Sequence, residues 1–261
     1  MSMNNIKIIF FDIDGTLIDM NKKQISEKTL ETLKRLKKQN IIICIATGRS
    51  PIALPHFENL TFDTFLTFNG SYCFNQTESI YKNPIPTKDV EQIVNNGKEL
   101  GRPVAIATSD SIITNGTDDD LVEYFSFANQ EVVVSKDFNQ TIENTDIFQL
   151  MMGARKKDYE KIIQNTTASK ITAWWDRAID IIPTSSGKGT GIAEILKYYG
   201  LDKSQAMAFG DGNNDIEMLN AVGHGLAMGN ASAEVKEIAD EVIGDVTEDG
   251  IYHYCLDNDL I

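Results

Sequence analysis

Short all-apolar runs that stop at polar loops, amphipathic helical stretches between them, and a change of texture in mid-chain predict an α/β protein. Its parallel-sheet core is interrupted by an inserted α+β unit. The first run, 6–11, is rich in Ile and Phe, as strands buried on both faces are. It ends in Asp12-Ile13-Asp14-Gly15. Two residues is the strand period, so both carboxylates start on one side. They stand at the carboxyl end, where open α/β sheets place ligands. Gly15 lets the backbone turn at once. Ser26 is placed to cap the next helix, with Ile25 and Leu30 as a hydrophobic staple. Leu30, Leu33 and Leu36 recur at helical spacing, and Lys34, Arg35, Lys37 and Lys38 make a solvated face near its C-terminus. Further strands are expected at 41–46, ending at Thr47-Gly48-Arg49, and at 64–68, ending at Asn69-Gly70. Strand, helix, strand, helix, strand implies right-handed parallel crossovers.

Beyond residue 80, Pro84 and Pro86 punctuate a linker. Helices are then expected at 87–100, 118–128 and 156–165. They alternate with strands at 103–108, 132–134, 146–152, 170–175 and 178–182. From Gly187 the core pattern returns, with a helix to Tyr199, a strand at 206–210, a helix from Asn214, and strands near Leu226 and Val242. The expected domains are a discontinuous core, 1–80 plus 185–261, and an insert, 81–184.

Composition narrows the function. Apolar residues make up 42 % of the 261 residues, enough for a full core. The 24 Lys and Arg against 38 Asp and Glu give a net charge of −14, which argues against nucleic acid or an anionic membrane as partner. An anionic substrate would then need a local cluster of cations. Cys44, Cys73 and Cys255 have no metal-ligand spacing and make no disulfide framework. Cys44 lies in an apolar run and reads as a core residue. The first apolar run is short and carries Lys7, so no signal peptide is expected, and no run is long enough to span a membrane. A cytoplasmic setting is the expectation.

Four features fall where a parallel strand ends or a helix begins. Asp12 and Asp14 would repel each other unless a cation lies between them or one is protonated, which suits a magnesium site with one carboxylate free to attack. An Asp-Gly turn closing an ordinary strand is the plainer account. Thr47-Gly48-Arg49 offers a hydroxyl and free amides to phosphate oxygens. Lys188, in Ser186-Gly187-Lys188-Gly189, offers a point positive charge. It is not a P-loop, because Ile182 stands at the first glycine position and Gly189 replaces the Ser/Thr. Asp211, in Gly210-Asp211-Gly212-Asn213-Asn214-Asp215, could complete an oxygen-rich magnesium site, and Asp215 could hold Lys188. That segment is no calcium loop, since Ile216 and Val222 occupy the positions that need glycine and glutamate.

Together these motifs resemble those of the haloacid dehalogenase superfamily phosphatases, and within them the Cof-type sugar-phosphate phosphatases. Asp12-Ile-Asp14-Gly-Thr-Leu is similar to the first motif, Thr47 to the second, Lys188 to the third, and Gly210-Asp211-Gly-Asn-Asn214-Asp215 to the fourth. Ile45-Ala-Thr-Gly-Arg49 and Phe68-Asn69-Gly70 match the wording of the Cof-type branch. The resemblance covers the whole chain. It implies a Rossmann-like core with an inserted α/β cap of type 2B, and hydrolysis of small phosphate monoesters. Asp12 would attack phosphorus to form an aspartyl-phosphate. Asp14 would protonate the leaving oxygen and then activate water. Thr47, Gly48, Arg49, Lys188 and Asn214 would meet the phosphate. The metal group would be Asp12, Asp14 through its carbonyl, and Asp211, with Asp215 behind them.

Selectivity is expected in the cap, with Trp174-Trp175-Asp176-Arg177 as its leading segment. A strand through Trp175 would send the tryptophans to opposite faces, one placed to stack on a sugar, with Asp176 or Arg177 hydrogen-bonding hydroxyls. Packing within the cap is the plainer account. A phosphomutase similar to the phosphomannomutases would use the same motifs. A phospho-accepting signalling module would need neither Asp14 nor a cap.

Overall fold

The computed structural model describes residues 5–127, 130–173 and 175–261. In chain order the first elements are β1 (Ile8–Phe11), α1 (Glu27–Lys38), β2 (Ile42–Ala46), β3 (Thr64–Thr67), β4 (Tyr72–Asn75) and β5 (Ser79–Lys82). Then come α2 (Thr87–Glu99), β6 (Val104–Ala107), β7 (Ile112–Thr114), α3 (Asp119–Ser126), α4 (Phe138–Asn144), β8 (Gln149–Gly153), α5 (Tyr159–Ile162), β9 (Ser169–Thr172) and β10 (Ala178–Pro183). The chain closes with α6 (Lys188–Tyr199), β11 (Ala206–Gly210), α7 (Ile216–Ala221), β12 (His224–Ala227), α8 (Ala233–Ile238), β13 (Glu241–Val242) and α9 (Gly250–Asp257). The described residues form two compact units. One holds those up to Gly48, Pro55–Lys82 and Gly187–Ile261; the other holds Arg49–Leu54 and Asn83–Ser186.

The first unit is built on a sheet of order β13-β12-β11-β1-β2-β3-β4-β5. Its strands from β13 to β3 run parallel, and β4 and β5 return antiparallel. Every residue of β1 is buried, because helices cover both faces. Ile8, Phe10, Cys44 and Ala208 pack with Ile192 and Ile195 of α6 and Met218 and Leu219 of α7. On the other face Phe11 stacks on Phe209 at 5.3 Å, and Phe209 meets the ring of Tyr254 from α9 edge-on. Ser26 caps α1 by accepting from the Thr29 amide.

The chain runs outward from β1 through β2 and β3 in one direction and through β11, β12 and β13 in the other. The strand order therefore reverses between β1 and β11, which is where sheets of this kind leave a crevice at their carboxyl ends. One expectation fails here. The connection from β2 to parallel β3 carries only a short 3-10 turn at Pro51–Ala53 and no α-helix. Its Pro51 and Pro55 remove amide donors that a helix would need.

The second unit is a five-stranded antiparallel sheet of order β7-β6-β8-β10-β9. Val104, Ile106, Leu150, Met152, Ile179 and Ile181 point to one face, where Val90 and Ile93 of α2 and Phe138 and Ile142 of α4 cover them. The expected strand at 132–134 is reduced to a single bridge between Val134 and Thr114. The expected strand at 170–175 ends at Thr172. Trp174 lies outside the described residues. Among the described residues, no helix is long and apolar enough to cross a membrane.

Candidate active site

Asp12 directly follows β1, Asp211 directly follows β11, and Thr47 directly follows β2. Because these three strands are adjacent and parallel, their ends bring the three residues to one edge of the sheet. Lys188 opens α6 and is buried despite its charge. Its Nζ donates to Asp12 Oδ1 and Asp215 Oδ1, each at 2.6 Å. The other Asp215 oxygen accepts from the amides of Asp211 and Gly212 at 2.9 and 3.0 Å. Asp215 is therefore a fully engaged support that fixes Lys188 and the loop after β11.

The carboxylates of Asp12, Asp211 and Asp215 come within 4.8 Å of one another. Three carboxylates share one ammonium, which leaves two negative charges in a buried place. Burial pushes the Asp12 carboxyl up to about 8, against the pull of Lys188 and with Asp215 adding to the rise. Burial also pushes Asp211 up to about 6, against a hydrogen bond from Thr16. Burial alone would lower Lys188, but Asp12 and Asp215 more than reverse this and keep it charged. A hard divalent cation fits such an excess of anionic oxygen and would return Asp12 and Asp211 to their charged forms. Asp12, Asp211 and Asp215 are the carboxylates close enough together to hold such an ion, with Asp215 already serving Lys188 and the loop after β11.

The Asp14 carboxylate lies outside this group, near enough for its charge to raise Asp211. Gly15 has φ +88°, and a methyl group there would run into the Asp211 carboxylate. The left-handed backbone and the close approach both require glycine. Thr16 Oγ1 donates to Asp211 Oδ1 at 2.7 Å. Asn230 Nδ2 donates to the Gly15 carbonyl at 2.8 Å, and its Oδ1 accepts from the Val246 amide. Sequence reasoning gave no role to Thr16 or Asn230. Thr16 was in view within the first motif; Asn230 could have been found as the turn residue closing the loop after β12.

The remaining sequence-selected residues divide. Asn214 is exposed and donates to Asn69, and Asn69 leans over Gly48, so Thr47, Gly48 and Asn214 belong to one neighbourhood. Arg49 is counted with the second unit and donates to the Ala53 carbonyl at 3.1 Å. Arg177 is committed within the second unit, pairing with Asp120 at 2.8 Å and Glu123 at 2.7 Å. Its guanidinium lies 5.0 Å above the Trp175 ring, which also stacks on Tyr124.

Comparison with known proteins agrees with this architecture. The model of the haloacid dehalogenase-like hydrolases matches residues 9–255. The chain is 34% identical to YkrA of Bacillus subtilis (strain 168) over 247 residues, covering 94% of this chain and 95% of that one. It is 30% identical to 5-amino-6-(5-phospho-D-ribitylamino)uracil phosphatase YitU of the same organism over 261 residues, covering 95% of each. Among solved structures, the subclass IIB sugar phosphatase BT4131 superposes with a TM-score of 0.82 at 30% identity, over 98% of this chain and 100% of that one. The chain belongs to the haloacid dehalogenase-like hydrolases and is a phosphatase of their Cof-type branch.

Proposed function

We propose that the protein is a magnesium-dependent phosphatase of small phosphate monoesters, sugar phosphates foremost, working through an aspartyl-phosphate on Asp12. The carrying observation is the buried Asp12 carboxylate, gripped by Lys188 at 2.6 Å beside Asp211. Asp12, the Asp14 carbonyl and Asp211 would hold the magnesium ion, which when bound offsets charge on the phosphoryl oxygens.

The rest falls to this chain's side chains. Asp12 attacks phosphorus while the bond to the ester oxygen breaks, and Asp14 gives that oxygen its proton. Asp14 then takes a proton from the water that attacks the aspartyl-phosphate. Inorganic phosphate leaves and Asp12 is regenerated. Lys188 and the Thr47 and Gly48 groups meet the negative charge spread over the equatorial oxygens. Lysine and a divalent cation together balance the three carboxylates, so a phosphate would meet a neutral pocket on a chain of net charge −14.

The sugar-phosphate assignment is supported by the description of BT4131 as a sugar phosphatase and by the ribityl phosphate in the name of YitU. Asp12→Asn keeps the shape and removes the attacking charge. Phosphate release from hexose phosphates with magnesium should fall by about three orders of magnitude or more. Acid-quenched wild-type protein should carry label from substrate on Asp12. Near-normal release by the variant would end the covalent mechanism.

A further inference from the structure

We propose that Asn69 is a positioning residue that sets the register of the phosphate-facing loops, acting through Asn214 and Gly48 and not on the substrate itself. The inference rests on the phosphatase reading above. Phe68, Asn69 and Gly70 follow β3 with φ of 50°, 51° and 90°. Two successive non-glycine residues in the left-handed region are held there only when the surroundings enforce it, and such places concentrate at functional sites.

The surroundings are the motif loops themselves. The Asn69 amide donates to the Thr47 carbonyl at 3.0 Å. Its carboxamide covers Gly48 so closely that a methyl group there would sit 3.1 Å from Nδ2 and 3.2 Å from Oδ1. Its Oδ1 accepts from Asn214 Nδ2 at 3.2 Å. A methyl group on Gly70 would run into the carbonyl of Gly187, the residue before Lys188. One turn therefore touches the loops carrying Thr47, Lys188 and Asn214, and Lys188 in turn holds Asp12. Asparagine meets both demands of the position: it tolerates the left-handed backbone, and its side chain both donates and accepts.

The test uses the full-length protein with magnesium, assayed on p-nitrophenyl phosphate and on a hexose phosphate. Asn69→Gly permits the backbone and deletes the carboxamide. It should lower kcat/KM about ten- to a hundredfold on both substrates, the scale of a displaced catalytic contact, with the melting temperature nearly unchanged. The loss should shrink to about threefold or less in an Asn214→Ala background, because the two residues act as a unit. Should Asn69→Gly not fold, Asn69→Ala deletes the same contact and takes its place in the coupling readout; Asn69→Asp keeps the turn and the acceptor for Asn214. Its added negative charge should raise KM more than it lowers kcat. Losses at 69 and 214 that multiply in full would overturn the role of Asn69, as would wild-type activity in the position-69 variants. A wild-type protein that hydrolyses no phosphate ester would overturn the phosphatase reading, and this inference with it.

Discussion

Asp12 and Asp14 are two residues apart in sequence and held differently in space. Asp12 is buried and tied to Lys188, while Asp14 is half-buried and outside the carboxylate group. That asymmetry predicts different mutant signatures. Asp14→Asn should cost about 10²- to 10⁴-fold in kcat on an alkyl phosphate, where the leaving oxygen needs a proton. On an activated aryl phosphate the loss should be smaller, since only water activation suffers. Steady-state rates on both substrates decide this, and equal losses would remove Asp14 from acid–base work. Gly15→Ala tests the support beneath. Its methyl group collides with Asp211 and its φ of +88° is unfavourable, so the magnesium concentration giving half-maximal activity should rise about tenfold or more. Unchanged magnesium dependence would mean that Asp211 does not hold the ion. The carboxylates, Thr47 and Lys188 were legible because their spacing puts them at strand ends and helix starts. Thr16 and Asn230 were not, because a support reveals itself only through what it touches.

At the scale of elements, legibility followed burial. β1, β2 and β11 are continuous apolar runs because both faces are covered. β4 and β5 lack that signature, since their Tyr, Asn, Ser and Lys residues stand on partly open strands near the sheet edge. The short helices α4 and α8 present too few turns to show a period. The segment around Trp175 misled for a related reason: its aromatics look like strand residues, yet Trp175 packs on Tyr124 and Phe127 from the α3 region.

The second unit is instead fastened by charge. Asp120 on α3 meets Arg102 just before β6, Arg155 just after β8, and Arg177 just before β10, at 3.0, 3.0 and 2.8 Å. Antiparallel order puts those three strand ends together, and one carboxylate clamps them. Arg155 foremost, with Arg177 and Arg102, holds Asp120 down to about 2. A depressed carboxyl stabilises fully above its unfolded value near 3.8 and loses that contribution as pH falls through about 2. Asp120→Asn should therefore unfold more easily in urea at pH 7, and the gap from wild type should close as pH approaches 2. A gap independent of pH would assign the effect to packing.

For the whole molecule the telling feature is where the insert begins and ends. Asn83 Nδ2 donates to Ser185 Oγ at 3.1 Å, so the chain leaves and returns at one place. Segments with adjoining ends and a core of their own are the ones that fold alone. This segment has such a core, from Val90 and Ile93 through Ile106 and Leu150 to Ile181. The expectation is that residues 83–186, expressed separately, unfold in one cooperative transition. Both tryptophans of the chain fall in this segment, so their fluorescence reports the transition directly. The complementary protein, with a short Gly-Ser bridge from Lys82 to Gly187, retains Asp12, Asp14, Thr47, Lys188, Asn214 and Asp211 on their strands and helices. It should still hydrolyse p-nitrophenyl phosphate with magnesium and should lose its preference among sugar phosphates, if selection resides in the insert. A bridged core that keeps the full preference would place selection in the core loops. A separate insert that shows no cooperative transition would mean that its own core does not suffice.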